Sequence, residues 1–121
     1  MEIIKRDQVK PLVSEHGEAV RELASPSIAD LHRHSVAEVT IEPGGRSVRH
    51  YHRQQEEVYY ILQGQGQMEL DDEVHSVQPG DTVIIPPLTR HLIRNTGTQD
   101  LVMVVTCAPA WSPEDEVPVR D

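Results

Sequence analysis

Short blocks of β-branched and aliphatic residues recur along this chain at intervals of roughly eight to twelve residues, and turn signals separate them. The separators are rich in Gly, Pro, Asn and Asp, which favour the backbone angles of turns. This pattern is typical of an all-β sandwich or barrel. The blocks that we predict as strands cover residues 35–41, 48–52, 58–62, 68–70, 74–77, 82–87, 90–95 and 101–107.

The connections between neighbouring blocks allow a finer prediction. The QGQG stretch at 63–66 is interpreted as a glycine hairpin between the strands on either side of it. The acidic turn at Asp71 and Asp72 predicts a second hairpin. Helix content is expected to be small.

The length of the chain, 121 residues, suits a single domain with one core. That core is expected to be aliphatic, because the chain has no Phe, three Tyr and one Trp. We divide the chain into an N-terminal segment at 1–24, a barrel at 25–110 and an acidic C-terminal tail at 111–121. The N-terminal segment is predicted as an edge strand or a dimer arm, although the spacing of Val20 and Leu23 also permits a helical turn.

Acidic residues outnumber basic ones, with 20 Asp plus Glu against 11 Lys plus Arg and a formal net charge of −9. Such a charge repels the phosphates of nucleic acids and anionic lipid surfaces, so neither is expected as a partner. The single cysteine, Cys107, suits a reducing compartment. There is no signal-peptide core and no apolar run long enough to span a membrane, so a cytoplasmic protein is predicted.

A cluster of potential metal ligands follows the turn at 42–45. His50 and His52 stand two residues apart, so on a strand they point to the same side and their imidazoles can converge on one ion. Glu57 adds a carboxylate, and its parity predicts that Tyr59 shares its face. His91 comes from a distant strand, which only a closed barrel or sandwich brings to the others. Neutral imidazoles with a carboxylate suit Fe, Mn, Co, Ni, Cu or Zn and leave positions open for water or substrate.

At this point the sequence resembles the cupin superfamily, whose first motif is G(X)5HXH(X)3–4E(X)6G. Residues 44–64, GGRSVRHYHRQQEEVYYILQG, fit this motif throughout. The fit places His50, His52 and Glu57 at the ligand positions of the family. The interval to the final glycine selects Glu57 over its neighbour Glu56, which is expected to be a solvated charge.

The second cupin motif, G(X)5PXG(X)2H(X)3N, lies within residues 80–95, GDTVIIPPLTRHLIRN. Gly80, Pro86, His91 and Asn95 fit it. Leu88 stands where the family commonly has glycine, which puts the local turn in doubt but not the ligand His91.

The resemblance is tight over residues 44–95 and looser out to about residue 107. It implies a double-stranded β-helix, a jelly roll of two facing antiparallel sheets in one domain. It also implies one divalent transition metal ion per chain, and a homodimer with exchanged or augmented N-terminal strands. The metal ligands that it implies are His50, His52, Glu57 and His91.

Other polar and aromatic residues have simpler interpretations. Tyr59 is either a general acid or base near the ion or a residue that fills the barrel wall. Cys107 is expected to be a small strand residue and not a nucleophile. Trp111 either covers the barrel or a neighbouring subunit, or borders a ligand pocket. The remaining histidines, which are expected at the surface or in supporting roles, are His16, His32, His34 and His75.

Three functions agree with these residues. The favoured one is a dioxygenase-type metalloenzyme that acts on a small oxygenated molecule, as the resemblance to cupins implies. The second is Lewis-acid isomerase, decarboxylase or lyase chemistry on a sugar or keto acid, for which Arg90 is the best-placed cation for a phosphate. The third is a module that binds a small ligand or a metal without turnover.

Overall fold

A computed structural model describes residues 1–120 as two antiparallel sheets whose inner faces pack together. The strands, numbered along the chain, are β1 (Leu12–Val13), β2 (Glu18–Ala24), β3 (Ser35–Ile41), β4 (His50–His52), β5 (Glu56–Gln63), β6 (Gly66–Leu70), β7 (Glu73–Val77), β8 (Thr82–Ile85), β9 (His91–Asn95), β10 (Leu101–Ala108) and β11 (Glu116–Pro118). Short 3-10 turns at Arg6–Gln8 and Pro113–Asp115 are the helical elements of the described chain.

The larger sheet has the strand order β1-β2-β3-β10-β5-β8, and the smaller sheet has the order β11-β4-β9-β6-β7. Neighbours in both sheets are often far apart in sequence, as for β3 with β10 and β4 with β9. This arrangement confirms the predicted all-β jelly roll, the double-stranded β-helix. Within residues 1–120 no helix is long and apolar enough to cross a bilayer.

The core lies between the sheets and is aliphatic, as expected from the composition. Strand β10 shows the two-residue period most clearly, with Leu101, Met103, Val105 and Cys107 buried and the residues between them more accessible. Such alternation arises because successive side chains of a strand point to opposite faces. The cluster also takes side chains from β3, β5, β6, β7, β8 and β9, so one core joins both sheets.

Two local predictions have different outcomes. The hairpin at Asp71 is confirmed, since β6 and β7 pair directly across it and Asp71 has a φ of 50°. The hairpin at 63–66 is wrong, because β5 belongs to the larger sheet and β6 to the smaller one. The chain passes from one sheet to the other at Gly64, whose φ is 88°. A Cβ at this position would lie 2.5 Å from the carbonyl oxygen of Asp100, so glycine is required here.

Both ends of the chain contribute strands. Residues 18–24, for which a helical turn was one option, form β2 and pair with both β1 and β3. Residues 116–118, within the segment described from sequence as a tail, form β11 and pair with β4. The C-terminal segment therefore lies directly beside the strand that carries His50 and His52.

Candidate metal centre

Three strands bring four potential ligands together at one end of the barrel interior. His50 and His52 lie on β4, and His91 opposes His50 where β4 pairs with β9. Glu57 comes from β5 in the facing sheet. One donor atom from each of these four side chains lies within 4.8 Å of every other. The four residues that the sequence identified thus form one candidate metal site.

The distances in this group suit an ion between the donors. His91 Nε2 lies 3.0 Å from Glu57 Oε1, and His52 Nε2 lies 3.6 Å from the same oxygen. Ligands bound at 2.0–2.2 Å to one ion are separated by about 3 to 3.5 Å when they are adjacent. All three atoms are buried without a hydrogen-bond partner, a costly state that a cation would relieve. The residues therefore fit a divalent metal ion.

Backbone carbonyls orient two of the imidazoles. His50 Nδ1 lies 2.6 Å from the carbonyl oxygen of Val48, and His91 Nδ1 lies 2.9 Å from that of Thr89. A ring nitrogen that donates a proton to a carbonyl leaves the other nitrogen as the one that can bind a metal. Both rings thus present Nε2 to the centre.

The protonation states also favour a metal. Burial, together with the nearby His91, lowers the pKa of His50, which keeps its imidazole neutral. Burial alone would raise the pKa of Glu57, but the adjacent His52 and His91 outweigh it and lower this pKa to about 2. Metal ligation requires neutral imidazole and ionised carboxylate, the forms that these shifts stabilise.

The barrel interior around the site is acidic. Glu18 shares the inward face of β2 with Val20, which packs against the core. Burial and repulsion by Glu116 and Glu57 raise the pKa of Glu18 to about 7. These carboxylates oppose one another in the absence of a cation, so a divalent ion would reduce their repulsion.

Tyr59 is buried near the candidate ligands, as its parity predicts. Its ring is perpendicular to that of His91 with the centroids 6.2 Å apart, and 5% of the residue is exposed. Burial, with the carboxylates of Glu57 and Glu18, raises the pKa of Tyr59 well above its ordinary value. Its hydroxyl therefore stays protonated at neutral pH and can donate a hydrogen bond. A catalytic role for this residue stays a prediction.

Of the residues interpreted as uninvolved in the site, Glu56, His32, His34 and His75 lie at the surface, whereas the Cys107 thiol contacts Glu57 Oε2 at 3.5 Å. Glu56 is exposed, unlike Glu57, and His34 and His75 are exposed as well. His32 pairs with Asp30 on the surface, 2.9 Å from its carboxylate. Cys107 is buried, and burial, together with the charge of Glu57, raises the pKa of its thiol, so it is not poised as a nucleophile.

Sequence reasoning missed several residues that surround the candidate ligands. Glu116 of β11 lies 3.6 Å from His50, measured from Oε1 to Nε2. The Asp115 carboxylate accepts hydrogen bonds from the backbone N–H groups of Gln54 and Gln55. Gln55 is 1% exposed, and neither polar atom of its amide has a partner. The parity of Gln55 with Glu57 was a usable signal for its inward direction, whereas no motif marked Asp115 or Glu116.

The fold is a two-sheet jelly roll, and three imidazoles and one carboxylate converge at one end of it. The protein is therefore a small β-barrel with a candidate metal centre. Residues 37–107 match the Cupin_2 family model, described as the cupin domain. The chain belongs to the cupin family.

Similar proteins cover nearly the whole chain. The Uncharacterized protein MJ1618 of Methanocaldococcus jannaschii is 41% identical over 117 residues, 95% of this chain and 94% of that protein. Protein SchB of Streptomyces halstedii is 33% identical over 107 residues, 88% of this chain and 77% of that protein. Among solved structures, Streptomyces PAC13, described as a nucleoside dehydratase, has a TM-score of 0.81 at 24% identity, covering 99% of this chain and 92% of that one. This last likeness concerns the fold.

Two further relatives have named activities. The 5-nitrosalicylic acid 1,2-dioxygenase of Bradyrhizobium is 35% identical over 65 residues, which is 54% of this chain and 31% of that protein. The oxalate decarboxylase of Lactobacillus farciminis has a TM-score of 0.82 at 25% identity, covering 93% of this chain and 34% of that one. In both comparisons this chain corresponds to about a third of the longer protein.

Proposed function

We propose that this protein is a metal-dependent, dioxygenase-type enzyme that acts on a small oxygenated molecule. The observation that carries the proposal is the buried group of His50, His52, Glu57 and His91, whose donor atoms all lie within 4.8 Å of one another. Iron, manganese, nickel, copper, cobalt or zinc suits such ligands, and the first four also support chemistry with oxygen. The bound ion would supply Lewis acidity and open positions for oxygen ligands.

The chain's own residues limit what the substrate can be. Glu57 and Glu116 make the surroundings of the site negative. The arginines near β4 and β9 are directed elsewhere, since Arg49 and Arg94 both contact Glu69. Arg90, the cation proposed for a phosphate, is exposed. A neutral molecule with hydroxyl or enol oxygens therefore suits the site better than a sugar phosphate.

Tyr59 is proposed as the catalytic hydroxyl. Its raised pKa makes it a hydrogen-bond donor at neutral pH, so it would orient or protonate a substrate oxygen and would not act as a base. The dioxygenase from Bradyrhizobium supports the choice of reaction class through its 35% identity over 65 residues. The match covers about half of this chain, so the substrate named for that enzyme is not carried over.

The test combines metal analysis with oxygen consumption. Protein purified without a metal-binding tag would be analysed by mass spectrometry for bound metals, and oxygen uptake would be measured with neutral catechols, enols and hydroxyketones. We expect about one metal ion per chain and uptake with at least one of these substrates. Uptake that is identical in wild type and His52→Ala would contradict the proposal.

A second candidate is Lewis-acid isomerase, decarboxylase or lyase chemistry. The observation that favours it is the additional carboxylate of Glu116, 3.6 Å from His50, because such reactions need a group that moves protons. One metal per chain without oxygen uptake, but with conversion of a sugar or keto acid, would establish this candidate. Metal or ligand binding without any conversion would indicate a binding module.

The homodimer expected from the cupin resemblance is also proposed here. Strand β1 is the edge of the larger sheet, and its Leu12 and Val13 are 78% and 72% exposed. An unpaired edge with exposed apolar side chains favours pairing with a second copy of the chain. Light scattering should show a dimer that Leu12→Lys converts to monomer. A monomeric wild type would contradict the proposal. A dimer that dissociates in Tyr60→Glu, a change at an exposed residue of β5, but not in Leu12→Lys would contradict it too.

The predicted cytoplasmic location is retained as part of the proposal.

A further inference from the structure

The C-terminal segment, defined here as residues 109–118, lies beyond the part of the chain that matches the cupin domain, yet it borders the metal ligands. It leaves β10 in the larger sheet and ends as β11 in the smaller one. On the way, the backbone N–H of Trp111 donates to Ser35 Oγ at 2.9 Å. The segment thus passes from one sheet to the other at the end of the barrel that contains the candidate centre.

The C-terminal segment is hydrogen-bonded to the loop that connects two of the proposed ligands. The loop at 53–55 joins His52 to the strand of Glu57, and its backbone N–H groups at Gln54 and Gln55 donate to the carboxylate of Asp115 at 2.9 Å. The backbone N–H of Arg53 donates to the carbonyl oxygen of Asp115 at 3.1 Å. The guanidinium of Arg53 donates to the carbonyl oxygen of Glu114 at 2.9 Å. The position of the segment is therefore fixed relative to the ligands.

Strand register directs Glu116 toward the centre. Glu116 pairs with His52 in the antiparallel ladder of β11 and β4, so the two side chains lie on the same face. His52 is 2% exposed and points to the interior. Glu116 reaches diagonally to His50, with 3.6 Å between Oε1 and Nε2. That separation equals the 3.6 Å between His52 Nε2 and Glu57 Oε1 within the ligand group.

The indole of Trp111 fixes the carboxylate. Its Nε1–H donates to Glu116 Oε1 at 3.3 Å. Unlike the four buried or nearly buried ligands, the Glu116 side chain is 36% exposed, so it stands between the ligand group and solvent. A carboxylate in this place is accessible to a ligand that approaches from solvent.

We infer that Glu116 is the second carboxylate of the metal centre, held by Trp111 on its open side. The inference rests on the proposed metal site. Glu116 strengthens metal binding through its negative charge and accepts a hydrogen bond from a hydroxyl of the molecule that occupies the open positions. Anions without such a proton are repelled by the same charge. The site therefore selects neutral, hydroxyl-bearing ligands.

The test is a titration of metal-free protein with Co²⁺, whose absorption spectrum reports its ligand environment. Glu116→Gln removes the charge but keeps an oxygen that accepts the Trp111 hydrogen bond, so the fold is preserved. We expect Co²⁺ affinity to fall about tenfold or more, as for other groups that support metal ligands. The matched control is Glu114→Gln, which removes the same charge from an exposed side chain in the same segment and should leave affinity unchanged.

A second measurement uses azide, an anion that needs an open coordination position. In the Co²⁺-loaded protein, Glu116→Gln should bind azide about tenfold more tightly, because a nearby negative charge has been removed. Equal Co²⁺ affinities of wild type, Glu116→Gln and Glu114→Gln would overturn the assignment of Glu116 to the centre. Unchanged azide affinity would overturn its placement on the open side. A wild type that binds no Co²⁺ would instead refute the metal site itself, and the present inference with it.

Discussion

Strand β5 crosses both halves of the barrel interior, and its inward side chains show how different the two halves are. Glu57 lies among imidazoles, and its Oε1 is buried without a hydrogen-bond partner. Ile61, four residues further along the same face, is 1% exposed within the aliphatic cluster. Burial of an aliphatic side chain contributes about 1.5–3 kcal/mol to stability, whereas an unpartnered buried polar group costs about 1–3 kcal/mol. Fold stability thus resides in the apolar half, and a bound cation would stabilise the polar half.

The largest effect should come from the polar half. His52→Ala removes a proposed ligand, so metal affinity should fall by more than about 100-fold, beyond the loss seen for groups that only support ligands. The rise in melting temperature on metal addition should disappear with it, because that rise depends on binding to the folded state. Metal content by mass spectrometry and thermal unfolding would measure both. His75→Ala on the exposed face of β7 is the control, and equal metal content in the two variants would refute the site.

The apolar half should respond in the opposite way. Ile61→Ala should lower the free energy of unfolding by about 2–5 kcal/mol, because it deletes buried methyl groups and leaves a cavity. Metal stoichiometry should stay at the wild-type value, since Ile61 lies four residues from Glu57 along β5. Urea denaturation of the metal-free protein and metal analysis of the loaded protein would test this. Loss of metal from a folded Ile61→Ala variant would show that the two halves are not separate.

A pH-dependent effect should link the two halves, because Glu18 pairs with Ile41 of the apolar cluster and is repelled by Glu57 of the polar half. Burial, followed by repulsion from Glu116 and Glu57, raises the pKa of Glu18 from an ordinary 4.5 to about 7. The folded state therefore retains a proton that the unfolded chain has released between these values. Stability of the metal-free protein should fall as pH rises from 4.5 to 7, by about 3 kcal/mol at most.

Denaturation of Glu18→Gln across the same pH range isolates this contribution. The variant should lose most of the slope, because its amide does not titrate. Glu15→Gln, at a side chain that is 87% exposed, should keep it. If Glu18→Gln retains the wild-type slope, the pH dependence arises from other groups.

In both halves of the interior, the sequence predicts the features that depend on local pattern. The aliphatic half follows from alternation within single strands, as in β3, whose bounds at Ser35–Ile41 agree with the prediction. The four candidate ligands were identified from two short motifs with fixed spacing, and the interval to Gly64 selected Glu57, which is buried, over Glu56, which is exposed. In each case the information is local to a strand or a loop.

Features that depend on distant pairing were not predictable in this way. Strand β11 has three residues, ends in Pro118 and exists because it pairs with β4, more than sixty residues earlier in the chain. No spacing rule links Glu116 to His50. Similarly, the EAVREL stretch of β2 has a spacing compatible with a helical turn, and its pairing with β1 and β3 decides its structure. The glycines at 63–66 indicated a sharp turn but not that the turn joins two sheets.

The smallest expected effect concerns Leu88, where the chain departs from the second cupin motif. The turn forms with Leu88 in the left-handed region, at a φ of 67°, and its N–H donates to the carbonyl oxygen of His52 at 2.7 Å. A left-handed conformation costs a non-glycine residue about 1–2 kcal/mol, and glycine loses part of that advantage through the greater entropy of its unfolded chain. Because the Leu88 side chain is 66% exposed, its removal sacrifices little packing.

Leu88→Gly should therefore raise the free energy of unfolding by roughly 0.5–1 kcal/mol. Metal affinity should not change, because the backbone of the turn is already in place. Leu88→Ala is the matched control, since it removes the side chain but keeps the strain, and should be close to wild type in urea denaturation. A glycine variant no more stable than the alanine variant would mean that the bond to His52 and the neighbouring prolines already offset the strain at this position. The site would then tolerate leucine without cost, and the family's glycine would not be a requirement of this turn.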